Sequence, residues 1–256
     1  MVNLARRLAT VIVALLAGTA GAQDRSLSPA LDPSWNVRAD GEWHFARLVY
    51  QGAGSYRRGS RFDTDWPEAE IHLRQGLDRL TRVQTGPDTW IELDDEDIMN
   101  YPWLYAVEVG YWYLDESDAA LIREYLLRGG FLMVDDFWGT NQWLGFEESM
   151  RRVFPDRPIV EIDESDTLMT LIYDLDKSVQ IPGRNYFRTG VTWQQDGYTP
   201  HWRGIYDDDG RLMVAINFNM DLGDAWEHAD DPRYPEPFTG LAYRFAVNYV
   251  IYSMTH

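Results

Sequence analysis

The chain has 256 residues, and its 41 acidic against 23 basic side chains give a formal net charge of −18 at pH 7. This charge argues against nucleic acid and anionic lipid as partners, because both need a cationic surface on the protein. The chain has no cysteine, which excludes disulfides, thiol catalysis, lipidation of a cysteine and thiolate metal sites.

The N-terminus has the pattern of a secretory signal peptide. The positive pair Arg6-Arg7 precedes the apolar stretch Leu8–Leu16, and Ala20-Gly21-Ala22 has small residues at the two positions that a signal peptidase reads. The alternative is a retained membrane anchor. Against it, the apolar stretch is shorter than the roughly 20 residues that a membrane span takes.

Cleavage after Ala22 leaves 256 − 22 = 234 residues, and the loss of two arginines changes the net charge from −18 to −20. We therefore predict that residues 1–22 are a signal peptide and that the mature protein is periplasmic or secreted, without stable membrane insertion. Residues 23–40 are polar and contain prolines, which predicts a flexible N-terminal segment. Residues 41–256 suffice for a single domain with its own core.

The first part of this domain alternates predicted strands and helices. A stretch rich in β formers at Phe45–Gln51 predicts the first strand, and residues 89–93 and 104–109 predict two more. Before the second strand, Asp65 is the predicted cap of a helix and Pro67 an early residue of it. The apolar face of that helix consists of Ala69, Leu73, Leu77 and Leu80.

A strand–helix–strand unit is the clearest structural signal. Its helix begins at the acidic segment Asp115–Asp118 and ends at Gly129-Gly130. The next buried strand is Phe131–Val134, which ends at Asp135-Asp136. Such a unit implies two parallel strands joined by a right-handed crossover.

The second part predicts a helix, a strand, an antiparallel hairpin and a C-terminal helix. They lie at residues 146–153, 159–162, 203–217 and 240–254, with the hairpin turn at Asp207–Gly210. The apolar residues of segment 163–200 follow neither a helical nor a strand period over any length, so no regular element is predicted there. The fold class predicted is α/β, with a mostly parallel central sheet followed by a C-terminal hairpin and helix.

Several segments together carry the motifs of a known family. They are Trp43–Tyr50, Tyr101–Tyr105, Leu126–Leu132, Asp135–Gly139, Val153–Pro155 and Asn219–Glu227. On these segments the chain resembles the bacterial family catalogued as domain of unknown function 4159 (DUF4159), over roughly residues 43–256.

The resemblance implies a flavodoxin-like, three-layer sandwich similar to class I glutamine amidotransferases. Those enzymes use a cysteine on a sharp strand-to-helix turn, and this chain has none, so amidotransferase chemistry through a thioester cannot operate. The family supplies no catalytic residues to carry over. Its members often lie near genes for AAA-type ATPases and von Willebrand A domain proteins, which implies envelope protein partners by analogy.

The densest group of polar side chains follows the last predicted strand, at Asn219–Asp231. Oxygen donors on a bendable loop are typical of sites for hard cations such as Ca²⁺. If the segment is helical, Asp224, Glu227 and His228 share one face, because residues three and four apart align. With Asp221 they are the predicted metal ligands, and a divalent cation is the candidate cofactor. The alternative is a loop whose side chains form turns and helix caps.

A second acidic pair, Asp135-Asp136, ends a predicted strand, where open α/β sheets bind their ligands. The pair would coordinate a cation or act as acid and base with separated pKa values. The alternative is that one aspartate caps the next segment and the other faces solvent. We expect a single acidic, tryptophan-rimmed cleft. Its candidate ligand-binding residues are Asp135, Asp136, Trp138, Asn219, Asp221, Asp224, Glu227 and His228.

Two further patterns carry less weight. The glycine-rich loop Gly52–Gly59, with Arg57 and Arg58, offers backbone amides to an anion but matches neither phosphate-binding fingerprint. A surface loop is the alternative there. No G-x-S-x-G is present to support a serine hydrolase.

The function predicted first is a non-catalytic envelope protein that binds a ligand or a partner on an amidotransferase-like scaffold. One alternative is a hydrolase of a glycan or peptide that uses Asp135, Asp136 and Asp224, with or without a divalent metal. Another is a structural subunit of an envelope complex. A deep pocket with converging acids favours the hydrolase, whereas an exposed apolar patch favours the binding module.

Overall fold

The structure is a computed structural model that describes residues 41–52 and 61–256. The predicted signal peptide, the predicted flexible segment 23–40 and the Gly52–Gly59 loop beyond Gly52 lie outside the described residues. Within the described ranges, no helix combines the length and the apolar character that a membrane span requires.

A seven-stranded mixed sheet forms the centre of the described chain. Its strands are β1 (Ala46–Val49), β2 (Thr89–Glu92), β3 (Trp103–Val107), β4 (Phe131–Phe137), β5 (Val160–Glu161), β6 (His201–Tyr206) and β7 (Leu212–Phe218). Their order across the sheet is β2-β1-β3-β4-β7-β6-β5. Neighbours from β2 to β7 are parallel, whereas β6 pairs antiparallel with both β7 and β5. The mostly parallel sheet and the hairpin are as predicted.

Helices cover both faces of this sheet. They are α1 (Glu68–Leu80), α2 (Glu116–Leu127), α3 (Gly139–Val153), the single turn α4 (Tyr186–Thr189), α5 (Leu222–Glu227) and α6 (Glu236–Thr255). Apolar residues of α1, α5 and α6 pack on one face, against side chains such as Phe45 and Tyr105. Residues of α2 and α3 pack on the other, against Leu48 and Ala106. The α/β class is confirmed, and the arrangement is consistent with a three-layer sandwich.

The predicted strand–helix–strand unit is β3-α2-β4. Asp115 begins α2 with a capping box, in which its carboxylate accepts from the amides of Ser117 and Asp118 while Asp118 accepts from the amide of Asp115. Gly129, at φ 107°, reverses the chain after the helix. The strand β4 then pairs parallel to β3, with Phe131 opposite Trp103, which confirms the predicted parallel pairing.

A buried ion pair joins β1 to α1. Arg47 and Glu70 are both fully buried, and the Arg47 guanidinium donates to the Glu70 carboxylate. The same guanidinium donates to the carbonyl oxygens of Phe62 and Thr64, each at 2.8 Å. Arg47 thereby holds the segment after β1 in place, and the segment leads directly into the start of α1.

Two details of α1 differ from the sequence prediction. Leu80, assigned to the apolar face, is 48% exposed, because it is the last residue of the helix and lies beyond the sheet contacts of Leu73 and Leu77. Asp65 makes no side-chain cap; Pro67 precedes the first helical residue and the Asp65 carboxylate points elsewhere.

Two helices begin earlier than predicted. The helix predicted at 146–153 starts at Gly139, because its first amides are satisfied by distant side chains: Asn219 accepts from Gly139 at 2.8 Å and Asp196 from Thr140 at 2.9 Å. The C-terminal helix starts at Glu236 rather than residue 240, directly after Pro235. The strand β4 also continues through the aspartate pair to Phe137, which pairs with Phe218 of β7.

Candidate functional site

The carboxyl ends of β1, β3, β4 and β7 meet at one edge of the sheet, and an acidic cleft of about 480 Å³ opens there. The last residues of β4 and the segments that follow β1, β3 and β7 supply its carboxylates, as expected for ligand sites of open α/β sheets. The carboxylates that line it are Asp65, Glu108, Asp136, Asp221, Asp224 and Glu227.

The structure brings the two predicted acidic segments together in this cleft. Five of the candidate residues line it: Asp136, Trp138, Asp221, Asp224 and Glu227. Trp138 is nearly fully buried, and its indole nitrogen donates to Asp136 Oδ1 at 2.6 Å. The remaining three candidates, Asp135, Asn219 and His228, adjoin the cleft without lining it.

Asp135 lies beneath the cleft and connects β4 to α5. Its Oδ2 accepts hydrogen bonds from the amides of Leu222 (2.8 Å) and Gly223 (2.9 Å) and from the Tyr105 hydroxyl (3.2 Å). Its Oδ1 is buried and has no hydrogen-bond partner among the described residues. The carboxyl group of Asp135 therefore supports the first turn of α5, from which Asp224 projects.

Asn219 acts as a clamp beside the cleft. Its side-chain oxygen accepts from the amide of Gly139, and its side-chain nitrogen donates to the carbonyl of Thr199, both at 2.8 Å. Both polar atoms of the Asn219 side chain thus form hydrogen bonds with backbone groups. These bonds fix the start of α3 against the segment before β6. The structure gives Asn219 a positioning role and not a place on the cleft wall.

Asp65 and Glu108 line the cleft although sequence reasoning assigned neither to it. Asp65 follows β1 and Glu108 follows β3. Arg61 lies beside them and forms an ion pair with Glu108 at 2.5 Å. Glu108 comes directly after β3, and such positions converge at one edge of a parallel sheet, so a signal was available for Glu108. Asp65 lies at the far end of the segment between β1 and α1, where no local signal marks it.

Burial raises the pKa values of most cleft carboxyls. Desolvation, followed by the charges of nearby carboxylates, places the pKa values of Asp65, Asp136 and Asp221 well above the usual range. Desolvation and a hydrogen bond with Asp224 raise the pKa of Glu227 to about 7. A buried group of carboxylates with so few cations among it is stabilised either by protons or by a bound cation.

Oxygen atoms of Asp65, Asp221 and Asp224 come within 4.8 Å of one another. Asp221 precedes α5 and its Oδ1 accepts from the amide of Asp224 at 2.7 Å, so the fold of the first helical turn sets both side chains. Asp65 Oδ2 is buried and unpartnered among the described residues. A Cβ at Gly223 would come within 2.4 Å of this oxygen, so glycine allows Asp65 to approach.

Strained backbone is concentrated around the cleft. Among the described residues, the non-glycine residues with positive φ are Asp65 (66°), Glu108 (51°), Asp136 (48°), Gln195 (50°) and Asn219 (63°). The first four line the cleft, and the last is the clamp beside it. Left-handed conformations of non-glycine residues cost energy and often accompany functional sites.

The raised pKa values predict how the stability of metal-free protein depends on pH. Desolvation raises the pKa of buried Asp135 to about 7, against an unfolded value of about 3.9. The folded state therefore binds more protons between these values, and the free energy of unfolding falls as pH rises from about 4 to about 7. At 1.36 kcal/mol for each of about three pKa units, Asp135 accounts for roughly 4 kcal/mol of this decrease in the free energy of unfolding.

Urea unfolding in a chelator at pH 5 and pH 8 measures this dependence. The variant Asp135→Asn keeps an acceptor for the α5 amides and removes the titrating group, so we expect its pH dependence to be smaller than that of the wild type. Equal stability of the wild-type protein at the two pH values would contradict the prediction.

Comparison with known proteins identifies a family. The model of the family described as "Domain of unknown function (DUF4159)" matches residues 44–254, so the chain belongs to this family. The match covers almost all of the described structure and the whole acidic cleft. No curated protein matches the chain.

Proposed function

We propose that this member of the DUF4159 family is an exported envelope protein whose acidic cleft binds a divalent cation and, through it, a ligand. The convergence of Asp65, Asp221 and Asp224 carries the proposal. Oxygen-only ligand sets of this kind suit Ca²⁺, Mg²⁺ and Mn²⁺. The export part rests on the signal-peptide pattern at residues 1–22.

Exposed aromatic side chains on a segment that contributes to the cleft support the binding of a ligand. Trp193 and Tyr198 are 41% and 62% exposed, and their ring centroids are 4.7 Å apart. Between them in the chain, Gln194 and Gln195 line the cleft. The segment that supplies these two polar amides to the cleft thus also carries an exposed aromatic pair.

A flavodoxin-like scaffold similar to class I glutamine amidotransferases is part of the proposal. The parallel strands follow the order β2-β1-β3-β4-β7, which corresponds to the 2-1-3-4-5 order of flavodoxin-like sheets. The cleft lies at the carboxyl ends of these strands, where that architecture binds its ligands. In this chain carboxylates occupy that edge, and the cysteine of the amidotransferases has no counterpart.

Metal binding to purified mature protein tests the proposal. After treatment with EDTA, we expect Ca²⁺ or Mn²⁺ to raise the melting temperature by roughly 5–10 °C at concentrations about 100-fold above Kd. Ligand linkage then contributes about 2.7 kcal/mol, and 1 kcal/mol shifts the melting temperature of a domain this size by about 2–4 °C. Absence of both bound metal and thermal shift would leave the carboxylates with a structural role only.

A metal-assisted hydrolase of a glycan or peptide is the second candidate. The observation that favours it is that further carboxyls, Asp136 and Glu227, line the same cleft as the cation ligands. The pKa of Glu227, raised by burial to about 7, suits a general acid or base at neutral pH. Hydrolysis of model glycans or peptides that requires the metal and stops in EDTA would favour this candidate over simple binding.

A further inference from the structure

Asp224 belongs to two different groups of metal-ligating side chains. One group is Asp65, Asp221 and Asp224; the other is Asp224, Glu227 and His228. Within each group the ligand atoms lie within 4.8 Å of one another. The four ligands predicted from sequence are therefore divided between two positions that share one carboxylate.

The helix α5 explains this division. Asp221 lies at its start, whereas Glu227 and His228 lie three and four residues after Asp224 and so share its face. The Asp224 side chain is only 7% exposed. Its Oδ2 accepts from the amide of Arg184, and its Oδ1 lies 3.5 Å from His228 Nε2. The two oxygens of Asp224 thus face different neighbours.

Each group contains a buried polar atom that has no hydrogen-bond partner among the described residues. In the first group it is Asp65 Oδ2, and in the second it is His228 Nε2. The His228 nitrogen lies 3.5 Å from carboxylate oxygens of both Asp224 and Glu227. A buried donor or acceptor without a partner is costly, and a cation bound between such atoms would satisfy it.

Glycine residues leave room around the shared carboxylates. A Cβ at Gly183 would lie 2.7 Å from Asp221 Oδ2 and 3.0 Å from Asp224 Oδ2. A Cβ at Gly223 would approach Asp65 Oδ2 even more closely. The chain thus lacks side chains where they would crowd the oxygens of the first position.

We propose that the cleft and the adjoining His228 side chain hold two divalent cations that share Asp224, an inference that rests on the proposed cation-binding function. The first position has oxygen ligands only, from Asp65, Asp221 and Asp224, and takes hard cations such as Ca²⁺. The second adds the His228 imidazole to the carboxylates of Asp224 and Glu227, and takes Zn²⁺ or Mn²⁺. Two-metal sites are typical of proteins that act on phosphate or peptide bonds.

Counting bound ions in the purified mature protein tests this inference. After removal of metals, we expect equilibrium dialysis with elemental analysis to find two Mn²⁺ per chain but one Ca²⁺. Two Mn²⁺ ions that share a carboxylate also couple magnetically, so the electron paramagnetic resonance spectrum at full occupancy differs from that of isolated Mn²⁺. Zero ions would overturn the proposed function itself, whereas a single Mn²⁺ without coupling would overturn only the two-cation inference.

Single variants assign the positions. His228→Gln and, independently, Glu227→Gln are expected to reduce Mn²⁺ to one per chain while leaving the Ca²⁺ count at one. Asp65→Asn is expected to remove the Ca²⁺ ion and leave one Mn²⁺. The matched control Asp230→Asn changes an exposed aspartate that follows α5 and should retain both Mn²⁺ ions. If His228→Gln and Glu227→Gln both retain two coupled Mn²⁺ ions, the second position is wrong.

Discussion

The Asp224→Asn variant is expected to bind no divalent cation and to lose the whole metal-dependent rise in melting temperature. Asp224 contributes to both groups of ligand atoms, so its replacement removes a charged ligand from each. Asparagine has nearly the same shape and still provides an acceptor for the amide of Arg184. The rise of roughly 5–10 °C expected for the wild type, from about 2.7 kcal/mol of linkage, should therefore vanish without loss of the fold.

In the absence of metal the same variant should be at least as stable as the wild type. The charge of Asp224 raises the pKa values of its buried neighbours Asp65 and Asp221, and asparagine removes that repulsion. Asp230→Asn is the control, because it removes the same charge from an exposed position. A metal-dependent thermal shift of equal size in Asp224→Asn and the control would exclude Asp224 as a ligand.

The Arg47→Met variant is expected to lower the free energy of unfolding by about 3–5 kcal/mol. Removal of one partner of a buried ion pair leaves the other charge buried and unpaired, and here Glu70 would be left fully buried. The variant also loses the bonds to the carbonyl oxygens of Phe62 and Thr64. Urea unfolding at neutral pH measures the loss.

The double variant Arg47→Met/Glu70→Leu should recover much of this stability, because an apolar pair can replace a buried ion pair at little cost. It should nevertheless bind cations more weakly, since Asp65 follows the carbonyl groups that Arg47 holds. Arg151→Met is the surface control. It breaks the exposed pair with Glu147 and should cost under about 0.5 kcal/mol. An equal decrease in the free energy of unfolding for Arg47→Met and Arg151→Met would show that the buried ion pair contributes no more to stability than the exposed one.

Local patterns predicted the regular elements well. The capping residue Asp115 and the glycines after α2 defined the crossover between β3 and β4 because each signal lies within a few residues of the element it limits. The start of α3 was wrong for the opposite reason. Its amides are capped by Asn219, which lies 80 residues away in the chain, and no local pattern reveals such a cap.

The candidate site was predicted in part for a similar reason. Asp136 and Asp224 lie in segments that are dense in acidic residues, and such segments predict a ligand-binding site. Glu108 directly follows β3 and Asp65 stands just before α1, and only the order of strands in the sheet brings them to the same cleft. The local pattern around Asp65, which stands before Pro67, predicts a helix cap. It therefore gives no indication that Asp65 lines the cleft.

The left-handed residues around the cleft have a consequence for anyone who would engineer this protein. Glycine at Asp65, Glu108 or Asp136 would relieve about 1 kcal/mol of backbone strain at each position. A redesign that optimises thermal robustness alone would therefore favour glycine at these three positions and delete three cleft carboxylates. Thermal stability favours glycine at these positions, whereas the acidic cleft needs their carboxylates. A library of stabilising variants should therefore leave these three residues unchanged and alter the chain elsewhere.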